Sequence, residues 1–127
     1  MENQRHERGW DALMQINGPA AERLFEELAD IAPDLGRWVV EFAFGDVVSR
    51  PGLDPRTREL VTVAALTAQG QWPAELRAHI AGALNVGCTP QEVVEVILQM
   101  AVYAGFPAAI NGIRAAKEVF AARDSKT

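Results

Sequence analysis

Residues 87–107 read GCTPQEVVEVILQMAVYAGFP, and the punctuation of this stretch decides the fold class. Thr89 and Glu92 have capping-box spacing, with Pro90 at the first helical position. A threonine hydroxyl there accepts the N3 amide, and the glutamate carboxylate accepts the N-cap amide. Gly87 suits the C-terminal cap of a preceding helix, and Gly105 with Pro107 ends the one that starts at Pro90. Between Val93 and Ile110 only Glu95 and Gln99 are strongly polar. A spanning helix needs about twenty largely apolar residues, and the Gly105–Pro107 break leaves too few, so no membrane partner is expected. A helix apolar nearly all round must be buried on nearly all sides. In a chain of 127 residues a partner subunit is the expected second wall, which predicts a homo-oligomer.

The same signals recur on either side. Asp54-Pro55 places an N-cap before a first-turn proline and opens a helix from Arg56 to about Gln69. Gly70-Gln71-Trp72-Pro73 closes it and starts the next, which runs to about Asn85 or Val86. The last helix starts near Pro107, with Phe106, Ile110, Ile113 and Phe120 on one face. Upstream, 10–16, 20–31 and 34–48 read as three more helices, separated by Asn17-Gly18-Pro19 and Ala32-Pro33. No period-two alternation signals a strand. The prediction is an all-α, single-domain bundle of six or seven helices over 1–127. Its ends, 1–9 and 123–127, are expected to be flexible.

Composition narrows the function classes. Hydrophobic residues are 49% and charged residues 23%, which fits a packed globular domain and not a disordered chain. Net charge is −5 and no dense Lys/Arg run occurs, which argues against a nucleic-acid partner. Cys88 is the only cysteine, so neither an internal disulfide nor an all-cysteine metal site is available. Polar residues from Glu2 to Arg8 lack a signal-peptide core, and the cytoplasm is the expected compartment.

One helical segment carries the chemistry: Trp72-Pro73-Ala74-Glu75-Leu76-Arg77-Ala78-His79. Glu75 and His79 are four residues apart and share one helix face. Leu76, Ile80, Ala83 and Leu84 form the apolar stripe, which puts the pair on its shoulder. An exposed i,i+4 pair that merely steadies the helix has the same spacing, by a few tenths of a kcal/mol.

Four blocks in order resemble the carboxymuconolactone decarboxylase family. They are Arg50 to Leu60, Trp72 to His79, Gly87 to Glu92, and Gln99 to Asn111, within a similar region from Phe42 to Phe120. The resemblance implies an all-α, alkylhydroperoxidase-like fold assembled as trimers or hexamers. A sister branch, the alkylhydroperoxidase-like enzymes, carries Cys-x-x-Cys-x-x-x-His on the same helix and a Glu one helix earlier. Here the two cysteine positions fall on Trp72 and Glu75, while His79 and Glu59 keep the other two. Dithiol peroxide reduction needs an attacking and a resolving thiol. Neither is present at that site, and thiol peroxidase activity is disfavoured.

Glu75 with His79 resembles the decarboxylase arrangement. What that implies is a cofactor-free carbon–carbon lyase acting on a small lactone or keto acid. The family-type reaction turns 4-carboxymuconolactone into 3-oxoadipate enol-lactone, a step of aromatic-compound catabolism. Such a site needs a general acid/base near neutrality, the role of His79, and a carboxylate such as Glu75 to orient it or relay its proton. No metal or organic cofactor is demanded. Further substrate-binding candidates are Arg58, Glu59, Trp72, Tyr103 and Asn111. Arg58 suits bidentate binding of a carboxylate or a structural salt bridge. Glu59 suits a second acid or a cross-helix ion partner. Trp72 would line the pocket or staple the helix entry, and Tyr103 and Asn111 would face a cavity or satisfy backbone freed at the break. Related chemistry on the same scaffold and a non-catalytic binding protein are the alternative readings.

Overall fold

The protein is described here by a computed structural model covering residues 2–125, with side chains from Gln4 onward. Seven α-helices and one π-helical segment make up these residues, and no strand occurs among them. The chain forms two compact units, one ending at Pro55 and one beginning at Arg56.

In the first unit, α1 spans Glu2–Ile16, α2 Ala20–Leu28 and α3 Pro33–Trp38, and α3 continues as a π-helix over Val39–Val48. The apolar pattern predicts a start for α1 at Trp10. The helix begins eight residues earlier because its polar first half packs against the π-helix. Gly9 and Gly45 make that approach possible. A Cβ at Gly9 would stand 1.9 Å from the Val40 carbonyl oxygen, and one at Gly45 would stand 2.6 Å from that of Arg5. Arg5 clamps the crossing through Nε and Nη2 to the two Asp46 carboxylate oxygens, at 3.0 and 2.7 Å. Residues 2–9 and 123–124 are helical; of the ends expected to be flexible, Met1, Lys126 and Thr127 lie outside the described residues. The Ser49 amide donates to the Phe44 carbonyl at 3.0 Å, the i→i−5 bond of a π-turn.

In the second unit the predicted punctuation holds. Helices α4 Pro55–Gln69, α5 Pro73–Asn85, α6 Pro90–Ala104 and α7 Phe106–Asp124 each carry a proline in the first turn. Both capping-box bonds form, Thr89 amide to Glu92 Oε1 at 2.9 Å and Glu92 amide to Thr89 Oγ1 at 3.1 Å. Gly105 sits at φ 95° between α6 and α7, a left-handed turn that a side chain would strain. The core gathers Val63 of α4, Leu76 and Ile80 of α5, Val93 and Ile97 of α6, and Ala109, Ala116 and Val119 of α7. Small residues on α7 let it lie close: a Cβ at Gly112 would meet Ile97 at 2.8 Å and Thr67 at 3.0 Å.

Candidate active site

Helix α4 buries one stripe, Glu59, Val63 and Thr67, at i, i+4 and i+8. Its two ends are the buried polar residues of the core, Glu59 and Thr67, each only 1% exposed. Their fates differ. Glu59 Oε1 lies 2.9 Å from His79 Nδ1 on α5, whereas Thr67 Oγ1 has no hydrogen-bond partner among the described residues.

The Glu59–His79 contact fixes the imidazole. A carboxylate can only accept, so Nδ1–H donates to Oε1 and Nε2 is left as the nitrogen for proton exchange. The side chain of Glu59 is 2% exposed and that of His79 19%, so the carboxylate is the more deeply buried partner while the imidazole keeps some exposure to solvent. A buried carboxylate without a partner costs several kcal/mol. This geometry therefore serves the fold as well as any reaction.

The predicted site residues separate. His79 and Glu59 come together, and Arg58 lies half-buried beside Glu59 on α4. Glu75 lies exposed in the first turn of α5, and no hydrogen bond or ion pair joins it to His79 among the described residues. The partner of His79 is thus the carboxylate of the neighbouring helix and not the one a turn away on its own. Trp72 and Asn111 meet elsewhere, in a cavity of about 270 Å³ walled by the end of α4, the start of α5 and the middle of α7. Neither Glu59 nor His79 lines it. Tyr103 lies exposed near the end of α6, beside the Gly105 break. Thr67 was not singled out from sequence, although a polar residue in register with Glu59 and Val63 on one stripe signals it.

Cys88 is buried in the core and donates its thiol to the Arg56 carbonyl oxygen at 3.5 Å. Arg56 in turn ion-pairs with Glu92 of the capping box. That pairing, with the Thr89 amide, holds the Glu92 carboxyl below the usual carboxylate range. Among the described residues no group of His, Cys, Asp and Glu is arranged to hold a metal ion.

An all-helical protein with a buried Glu–His pair bridging two consecutive helices is the class that fold and site define. The chain belongs to the carboxymuconolactone decarboxylase family, whose model matches residues 33–118. It is 39% identical over 120 residues to the 4-carboxymuconolactone decarboxylase of Acinetobacter baylyi, covering 94% of this chain and 89% of that one. An uncharacterized 15.0 kDa protein of Paracoccus denitrificans is 34% identical over 110 residues, covering 85% and 82%. A nitrosuccinic acid decarboxylase of Metarhizium robertsii is 41% identical over 75 residues, covering 59% of this chain and 52% of its own. Family and names agree with the decarboxylase-like, carbon–carbon lyase function that the sequence implies.

Proposed function

We propose that the protein is a cofactor-free decarboxylase of small lactone or keto acids, with 4-carboxymuconolactone as its substrate and 3-oxoadipate enol-lactone as its product. The observation that carries this reading is the 2.9 Å contact of Glu59 Oε1 with His79 Nδ1, which leaves Nε2 as the ring nitrogen for proton exchange. In the reaction the bond from the ring carbon to the carboxylate breaks and CO₂ leaves. The electron pair runs through the ring double bond onto the lactone oxygen. A proton then returns at the carbon next to the lactone carbonyl. His79 Nε2 delivers that proton, and Glu59 stabilises the imidazolium that precedes delivery. Glu75, exposed one turn before His79, takes part by contact with substrate. Arg58 holds a substrate carboxylate or the lactone oxygen, charge that must be met where it develops.

The two relatives named as decarboxylases act, by name, on carboxymuconolactone and on nitrosuccinic acid. Each of these acids has a carboxyl on carbon joined to an electron-accepting system, an unsaturated lactone or a nitro group. A scaffold that supplies a proton and no electron sink suits substrates that bring their own sink. The expected homo-oligomer, a trimer or hexamer, is supported by an apolar face in the second unit. Leu98, Val102 and Tyr103 of α6 with Phe106 and Ile110 of α7 are all exposed, Val102 at 76%. Among the described residues no helix is long and apolar enough to cross a membrane. The test is turnover of 4-carboxymuconolactone by the wild-type protein, with His79→Ala as the control.

A further inference from the structure

The cavity that holds Trp72 and Asn111 has features of a binding site that the Glu59–His79 reading does not use. Thr67, 1% exposed, lines it with an Oγ1 that lacks a partner among the described residues. An unmade hydrogen bond on a buried hydroxyl is costly, so a group that satisfied it would be favoured there. Two guanidiniums, Arg77 and Arg114, and one carboxylate, Glu118, also line the cavity. Glu118 is engaged by Arg77 at 3.4 Å, and Arg114 makes one long bond, Nη1 to Asn111 Oδ1 at 3.4 Å. The cavity therefore keeps a net positive lining with one weakly engaged cation. Trp72 closes a side as a flat apolar wall, its ring fixed by Nε1 donating to Gln69 Oε1 at 2.7 Å. At about 270 Å³ the space falls just below the usual range of small-molecule sites, roughly 300–1,000 Å³, which favours a compact ligand.

We propose that this cavity, built from Thr67, Trp72, Arg77, Asn111 and Arg114, binds a compact organic carboxylate with a flat unsaturated body. Arg114 takes the carboxylate, Trp72 covers the body, and the Thr67 hydroxyl receives the polar atom that reaches deepest. Thr67 and Glu59 lie eight residues apart on α4, about 12 Å along its axis. The bound acid and the Glu59–His79 pair are thereby held apart on the same helix. The inference rests on the cavity and stands whether or not His79 is catalytic.

Isothermal titration of the intact protein with benzoate tests it, with benzamide as the uncharged counterpart. The expected result is saturable binding of one benzoate per chain, with benzamide and the Arg114→Ala and Thr67→Val variants each roughly ten-fold weaker. His79→Gln should bind benzoate as the wild type does. Arg114 is exposed, so its variant folds even if Thr67→Val does not. Absence of saturable binding, binding indifferent to both variants, or binding lost in His79→Gln would each overturn the proposal; the last would place the acid at the His79 site instead.

Discussion

Glu59 and His79, twenty residues apart in sequence, share a 2.9 Å contact between α4 and α5, and the carboxylate is the more deeply buried partner. Seen from sequence, His79 stands on a helix shoulder where its loss costs little packing. The contact argues for a larger cost. Truncating His79 strands a carboxylate in the core, and losing one partner of a buried pair costs roughly 3–5 kcal/mol.

His79→Ala should therefore lower stability by about 3 kcal/mol in urea unfolding. The double variant Glu59→Leu/His79→Ala should recover most of that loss, because no charge is then left unpaired. A double variant no more stable than His79→Ala would show that the contact is not what the core depends on.

Glu59→Gln and Glu75→Gln separate the two carboxylates. Glu59→Gln should cut kcat roughly ten- to hundred-fold, the range seen for carboxylates that orient metal-bound imidazoles. Glu75→Gln should cost less in kcat and leave stability within about 0.5 kcal/mol, since Glu75 is exposed. The reverse order in steady-state kinetics would return the orienting role to Glu75.

How far this was legible in the sequence follows from where the signals lie. Pro55, Pro73, Pro90 and Gly105 act within a turn of their own position, and the boundaries of α4 to α7 stand close to where these residues put them. The π-helix over Val39–Val48 left no such mark, because an i→i−5 ladder has no residue signature distinct from an α-helix. The start of α1 was equally hidden: Arg5 and Arg8 are held by Asp46 and Gly45, some forty residues on. Glu59 and Glu75 were both candidates, and spacing favoured Glu75 because it shares a helix with His79. Which carboxylate meets the ring depends on the register of α4 against α5, a tertiary property that no local pattern encodes. Thr67 looked like an ordinary helix residue until its stripe was seen to be buried.

Acid should loosen the first unit. The Arg5 guanidinium, hydrogen-bonded to Asp46, holds that carboxyl below its usual value of 3.8. As pH falls, the unfolded chain takes up this proton before the folded one does. The stabilisation is thus present above about pH 4 and is lost as pH drops through the lowered folded value. Asp46→Asn should be less stable than wild type at pH 7 and should show a shallower acid limb by circular dichroism. A limb of unchanged slope would mean that the clamp contributes nothing.

The exposed face of α6 and α7 should be an assembly surface. Val102→Asp and Phe106→Asp should shift the protein to smaller species in light scattering at micromolar concentration, without loss of helicity. A wild-type protein that is already monomeric there would refute this.

Cys88→Ser should keep activity. The thiol is buried and bonded to the Arg56 carbonyl, so the substitution should cost roughly 1 kcal/mol of packing and leave kcat near wild type. Loss of turnover with folding intact would bring thiol chemistry back into consideration.

The most direct test is the release of CO₂ from 4-carboxymuconolactone by the wild-type protein and by His79→Gln at saturating substrate. Glutamine can still donate a hydrogen bond toward Glu59 but cannot exchange a proton, so the fold is kept while the acid is removed. The account predicts turnover by the wild type, lowered roughly 10²- to 10⁴-fold in the variant, the usual share of a positioned general acid. Full turnover by an intact His79→Gln protein, or no turnover by the wild type, would contradict it.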